Sequence, residues 1–191
     1  SNIIVDCINR TAQGSCVDWA EGSHHNRLKN VEVRNHAHGM CVFIGDSDTA
    51  YSQGLSSDFN ELIGVDLHNC DLQPGEGTTG NYAAYGLYLS SNNNLIENSS
   101  IHDNTGFGIH LYRKATSVLG VTTSSNNIIR NNKIYRNGIQ EILNFYSGII
   151  VATGDNNRVY NNLIWENAYG IGVGYGGTDR GYNNTIYYNT A

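Results

Sequence analysis

The chain has 191 residues, of which 15% are charged, with a net charge of −6, 27 Asn, 22 Gly, 13 Tyr and a single Pro. No apolar run approaches the ~18 residues that would span a membrane, and 11 scattered basic residues in an acidic chain give no nucleic-acid footprint. Ile, Val, Leu and Tyr are spread evenly, which excludes disorder and leaves one folded domain over residues 1–191.

The chain opens directly into Asn2-Ile3-Ile4-Val5, which places any export segment upstream or already removed. Ile8 with Gly14-Ser15-Cys16-Val17 begins a series of short apolar–polar alternations, continued by residues 28–36 and Gly39-Met40-Cys41-Val42. Residues 62–70 follow, then the insertion Asp71-Leu72-Gln73-Pro74-Gly75-Glu76-Gly77 with its lone Pro, then Gly86-Leu87-Tyr88-Leu89. Residues 96–104 are followed by Gly108-Ile109-His110-Leu111, residues 129–137 by Gly148-Ile149-Ile150-Val151, and residues 159–167 by Gly170-Ile171-Gly172-Val173. Residues 181–189 give a last copy. Only residues 138–146, with Ile139, Ile142, Leu143 and Tyr146, are spaced for a helical turn or two.

Two phrases therefore alternate: a nine-residue one, clearest in Ile129-Arg130-Asn131-Asn132-Lys133-Ile134-Tyr135-Arg136-Asn137, and a Gly-apolar-x-apolar one. The central apolar residue of the first falls at Val33, Leu67, Ile101, Ile134, Ile164 and Ile186, in steps of 34, 34, 33, 30 and 22. That spacing predicts a fixed unit near the shortest step, carrying loop insertions. Alternation over three to five residues is strand periodicity, so three short strands make one coil and coils stack ~4.8 Å apart as parallel strands. Asn tolerates the positive φ of sharp turns, and Asn98, Asn131, Asn161 and Asn183 are expected at one register as an amide ladder. Pro is scarce because almost every backbone N–H is needed by the next coil.

These phrases resemble the right-handed parallel β-helix repeat of the pectin-lyase-like superfamily, over residues 3 to 189. The implied fold class is all-β, a right-handed parallel β-helix of six to seven coils with loop insertions; the hand comes from the resemblance and the crossover rule. The last copy stops before its Gly-apolar phrase and no cap precedes the first. A piece of a longer β-helix, or a module of a larger secreted or cell-surface protein, is therefore expected.

Outward side chains form stripes. On the Gly-apolar strand they read Cys16, Cys41, Tyr88, His110, Ile150, Gly172, and two residues on Asp18, Phe43, Ser90, Tyr112, Ala152, Gly174. In the superfamily this strand floors the substrate groove, and residues 45–58, 113–125, 71–84 and 138–147 would be its walls. Tyr88, His110 and Tyr112 would stack on and hydrogen-bond sugars, with Arg113 and Lys114 meeting hydroxyls or carboxylates. A second stripe, Arg34, His68, His102, Tyr135, Trp165 and Tyr187, reads first as a structural ring ladder and second as a sugar platform through Tyr135 and Trp165.

Enzymatic signatures are incomplete. Polygalacturonase-like paired aspartates are missing, and His38-Gly39 matches that family only in part. The calcium-binding carboxylates of pectate-lyase-like enzymes are missing too, with only Asp18 on the floor, so a lyase or glycoside hydrolase would rest on His110, Tyr88, Arg113 and Lys114. No cofactor is expected; Asp46-Ser47-Asp48 gives calcium its only candidate oxygens, and His36, His38 and Cys41 fall short of a zinc set. Cys16 and Cys41, at equivalent registers, are expected as a disulfide with Cys7 and Cys70 unpaired. The sequons at Asn9, Asn98 and Asn183 overlap the repeat's own Asn. The leading expectation is a secreted, polysaccharide-binding module without nucleic-acid or membrane partners. The alternatives are a lyase or hydrolase acting on an acidic or plant cell-wall polysaccharide, and a structural or adhesive solenoid.

Overall fold

The computed structural model describes residues 3–8, 14–37, 39–46, 53–70, 85–112, 124–138, 147–174 and 181–190. Within them the chain forms three six-stranded parallel sheets, and each coil gives one strand to each sheet. Sheet A holds β1 (Ile3–Asp6), β4 (Val31–Arg34), β7 (Asp66–His68), β10 (Ser100–His102), β13 (Lys133–Tyr135) and β16 (Leu163–Trp165). Sheet B holds β2 (Gly14–Ala20), β5 (Gly39–Gly45), β8 (Leu87–Ser90), β11 (Ile109–Leu111), β14 (Ser147–Val151) and β17 (Tyr169–Val173). Sheet C holds β3 (Arg27–Lys29), β6 (Glu61–Ile63), β9 (Leu95–Glu97), β12 (Ile128–Arg130), β15 (Arg158–Tyr160) and β18 (Thr185–Tyr187). Six coils run A, B, C in turn, and a bridge from Leu163 to Thr190 starts a seventh. No helix occurs among the described residues, and most of the expected helical turn, residues 139–146, lies outside them.

A three-residue strand turns only its middle side chain inward, so each sheet contributes a column of apolar residues. Val33, Leu67, Ile101, Ile134 and Ile164 pile in sheet A, and Leu62, Ile96, Ile129 and Val159 in sheet C, all buried. Each such side chain contributes about 2 kcal/mol. Ile186 corrects the expected register: it pairs with Val159 in sheet C, not with Ile164. The sheet C column Leu28, Leu62, Ile96, Ile129, Val159, Ile186 steps by 34, 34, 33, 30 and 27, so the shortest coil is longer than the sequence spacing suggested.

The reason lies in the corners. All three use the same pair of residues, one with positive φ followed by one whose side chain turns in to bond the neighbouring coil. At the C–A corner, Asn98, Asn131, Asn161 and Tyr188 take the positive φ, while Asn132, Asn162 and Asn189 accept from the backbone N–H of Ser99, Asn132 and Asn162. At the B–C corner, Asn93, Asn126, Asn156 and Asn183 take the positive φ. There Asn60, Asn94, Asn127, Asn157 and Asn184 form the ladder with N···O distances of 2.8–2.9 Å. At the A–B corner the ladder is Asn104, Asn137 and Asn167, ending on the N–H of Cys70. The expected ladder exists, but the laddering amides belong to the residue after the turn-forming Asn, and Asn183 sits at a different corner from the other three.

The A–B corner also holds both disulfides, Cys7–Cys16 and Cys41–Cys70, with Cα–Cα distances of 6.0 and 5.6 Å. The expected Cys16–Cys41 bridge is not formed. Cys41 does not face solvent: its Sγ turns into the corner toward Val33 O and His68 O, where Cys70 occupies the inward ladder position. The glycine that starts the Gly-apolar phrase is demanded at the same place. A Cβ on Gly108 would sit 2.5 Å from Gly148 O and 2.9 Å from Asn137 Nδ2.

Candidate functional site

Insertions in the chain fall only where it enters or leaves sheet B. Residues 71–84 and 139–146 precede β8 and β14, while residues 47–52, 113–123 and 175–180 follow β5, β11 and β17; the C–A corner never exceeds two residues. Connections of variable length on a rigid scaffold are where function concentrates. The outer face of sheet B is therefore the first candidate.

Its central row is Asp18, Phe43, Tyr88, His110, Ile150 and Gly172. Cys16 and Cys41, expected in that row, lie two residues earlier. Inward Val42 and Ile44 must stack on Leu87 and Leu89, and this demand overrides the match between the glycines that begin each phrase. The next row is Gly45, Ser90, Tyr112, Ala152 and Gly174, with Gly45 and Ser90 in place of the expected Phe43 and Ser90 pairing.

Tyr88, His110 and Tyr112 do come together, as expected. The His110 ring lies 5.1 Å from Tyr88, edge-on, and 5.3 Å from Tyr112, nearly parallel. Three further rings, not expected at these positions, join them: Phe43 stacks on Tyr88 at 5.7 Å, Tyr85 lies 4.9 Å from His110, and Phe107 lies 4.7 Å from it. The missed signal is an aromatic directly before the Gly of the Gly-apolar phrase, Tyr85-Gly86 and Phe107-Gly108 in consecutive coils. The cluster forms a second apolar layer outside the sheet, with Ile150 and Ala152 buried in it.

Access differs within the cluster. His110 is 3% exposed, whereas Phe43, Tyr88 and Tyr112 are half-buried. Burial lowers the His110 pKa to about 3, so its imidazole is neutral at physiological pH. Arg113 and Lys114 directly follow Tyr112 and lie outside the described residues, as do His38, Asp48, Asp71, Glu76 and Glu141.

The ring stripe on sheet A is equally regular. Arg34, His68, His102, Tyr135 and Trp165 share one row. His68 stacks on His102 at 4.9 Å, His102 on Tyr135 at 4.6 Å and Tyr135 on Trp165 at 4.2 Å, all within 10° of parallel. Tyr187 is not in this stripe; it lies in sheet C, stacked on Tyr160 at 4.9 Å. Within this stack His102 and Tyr135 have rings on both faces, which leaves mainly their edges outward, while Trp165 ends the stack with Tyr135 on one face.

Carboxylates run beside this stack. Glu32 Oε1 meets Arg34 Nη1 at 2.6 Å and His68 Nε2 at 3.2 Å. His102 sits between Asp66, 2.9 Å from Nε2, and Asp103, 2.6 Å from Nδ1. Burial lowers the His102 pKa, but the two carboxylates outweigh it and the net shift is upward. The Arg136 guanidinium, with the His102 bond, holds Asp103 down at about 2.

Among the described residues no three His, Cys, Asp or Glu side chains converge as metal ligands do. Asp46, one of the oxygens considered for calcium, accepts from the N–H of Gly22 and from the N–H and hydroxyl of Ser57, which closes a loop. No curated protein and no solved structure matches the chain. A family model described as a right handed beta helix region matches residues 56–191, which span four of the six coils just described and part of a fifth. The chain belongs to the right-handed β-helix family.

Proposed function

We propose that the chain is a secreted polysaccharide-binding module whose ligand lies along the outer face of sheet B. The observation that carries this reading is the ring cluster around His110, a layer of Phe43, Tyr85, Tyr88, Phe107 and Tyr112 outside a sheet whose core lies on its other face. Tyr88 and Tyr112 are only half-buried, so part of each ring, an apolar body with a polar tip, stays within reach of a pyranose. The neutral His110 ring braces both without adding charge. Arg113 and Lys114, next in the chain, would meet hydroxyls or carboxylates. Tyr135 and Trp165 serve the sheet A stack in this reading. Two disulfides favour an oxidising compartment and hence export.

Affinity electrophoresis through a panel of polysaccharides tests the proposal. Tyr88→Ala should weaken retardation about tenfold, the scale of one stacking ring, and Trp165→Ala should leave it unchanged. A parent chain that no polysaccharide retards, or a Tyr88→Ala chain retarded like the parent, would defeat it.

A catalytic reading uses the same row, since an unprotonated imidazole touches the Tyr88 phenol. A lyase would raise the ultraviolet absorbance of a new C=C bond in a uronate polymer. A hydrolase would release reducing ends, and a binding module would do neither.

A further inference from the structure

The outer face of sheet C carries a group of side chains remote from the sheet B rings. Arg130, Tyr160 and Tyr187 occupy one row in successive coils, and Arg158 lies in the neighbouring row between Ile128 and Thr185. Arg130 Nη1 donates to the Tyr160 hydroxyl at 3.2 Å, and Arg158 Nη2 donates to the Tyr187 hydroxyl at 3.3 Å. The Arg158 guanidinium also lies over the Tyr160 ring, 5.4 Å from its centre. Both phenol rings are stacked, so their hydroxyls are held one coil apart.

Hydrogen-bond bookkeeping makes the group unusual. A phenol oxygen that accepts from a guanidinium has its own O–H left to donate, and the remaining guanidinium N–H groups can only donate. Glu97 accepts from Arg130 Nε at 2.6 Å. Arg158 is exposed and has no carboxylate partner among the described residues. Two cations and two phenol hydroxyls therefore lie together, with Glu97 the one carboxylate bonded to them among the described residues.

We infer that Arg130, Arg158, Tyr160 and Tyr187 form a binding site for an oxyanion, a sulfate or carboxylate group carried on a sugar polymer. A tetrahedral or planar oxyanion supplies the acceptors the group lacks, and a guanidinium meets it through paired N–H bonds. The site faces a different side of the solenoid from the sheet B rings, so a polymer would engage it independently. The choice of a sugar polymer as carrier rests on the polysaccharide reading; the oxyanion itself rests on the donor count.

Dextran sulfate and plain dextran, which share a backbone and differ in the anion, are the decisive probes in affinity electrophoresis of the whole chain. Dextran sulfate should retard the parent and dextran should not retard it through this site. The chain's net charge of −6 opposes non-specific adhesion to a polyanion. Arg158→Gln and Tyr187→Phe should each weaken the retardation about three- to tenfold, an exposed charge-assisted bond being worth that much, while Arg158→Lys keeps part of it. Competition by sodium sulfate at matched ionic strength, against sodium chloride, reports whether free sulfate also fills the site, which supports the oxyanion assignment. Equal retardation by both dextrans, or Arg158→Gln and Tyr187→Phe chains of unchanged circular dichroism retarded like the parent, overturns it. Tyr88→Ala separates the two claims: it should leave dextran sulfate retardation intact, and a neutral polysaccharide lost with Tyr88→Ala alone keeps the sheet B reading even if the sheet C site fails.

Discussion

Asn131 and Asn132 are chemically identical neighbours with opposite duties. Asn131 is exposed and needs only its positive φ, whereas Asn132 is buried and accepts the N–H of Ser99 while donating to Ile96 O and Asn162 Oδ1. Asn131→Gly should be close to neutral and Asn131→Ala should cost about 1 kcal/mol, the strain of a left-handed residue. Asn132→Ala strands buried backbone groups and should cost about 2 kcal/mol or more. Urea unfolding of the three variants checks the ranking. Two histidines give a second contrast at this scale. His102 has a folded pKa above 6.5, so its stabilisation is complete below pH 6.5 and fades as pH rises through the folded value. His110 has a folded pKa of about 3, so its neutral ring costs nothing above pH 6.5 and destabilises progressively as pH falls from there toward 3. Phe substitutions keep each ring and remove its titration. His110→Phe should flatten the acid side of a stability–pH curve, and His102→Phe should remove part of the gain on acidification. Parallel curves for all three chains would contradict this.

At the scale of a strand or a corner, packing explains both what could be read and what could not. The sheet A column was legible because Ile101, Ile134 and Ile164 sit in near-identical phrases, and their pairing follows. Ile186 was misplaced because Asn183-Asn184-Thr185-Ile186 spells the B–C corner with the letters Asn131-Asn132-Lys133-Ile134 use for the C–A corner. The two corners impose the same backbone demands, so composition alone does not tell them apart. In the site, Tyr88, His110 and Tyr112 were legible from the Gly-apolar phrase, but the burial of His110 was not, since burial depends on residues far along the chain. The first row was shifted because glycines were matched between β5 and β8 where inward Val42 and Ile44 set the register; Cys16 and Cys41 do lie level, as Gly14 and Gly39 imply, but each bonds a cysteine of the A–B corner, Cys7 or Cys70, instead. At this scale Gly108→Ala should be more costly than any surface change in β11, because the added methyl collides with the carbonyl of Gly148 and the ladder amide of Asn137. A thermal midpoint lowered by several degrees is expected, against little change for Asn126→Ala beyond its local strain.

Over the whole molecule, each coil touches only its neighbours, so damage stays local. Both disulfides lie in the first three coils, and Cys41–Cys70 ties the second to the third. Replacing Cys41 and Cys70 together by Ala should cost about 3 kcal/mol. Hydrogen exchange should quicken in β1 to β7 and hold in β12 to β16; uniform acceleration along the chain would contradict a segmented response.

The three amide columns also set the grain at which such a molecule can be edited. Because the B–C corner repeats one amide acceptor from Asn60 to Asn184, removing residues 128–157 would bring Asn127 to Arg158, and the seam would reproduce the joint already present between Asn157 and Arg158. A cut of half that length would leave amides facing strand middles. The architecture thus has a natural quantum, the full turn, and lineages or engineers altering its length are confined to whole multiples of it, with freedom to lengthen only on the two sides that border sheet B.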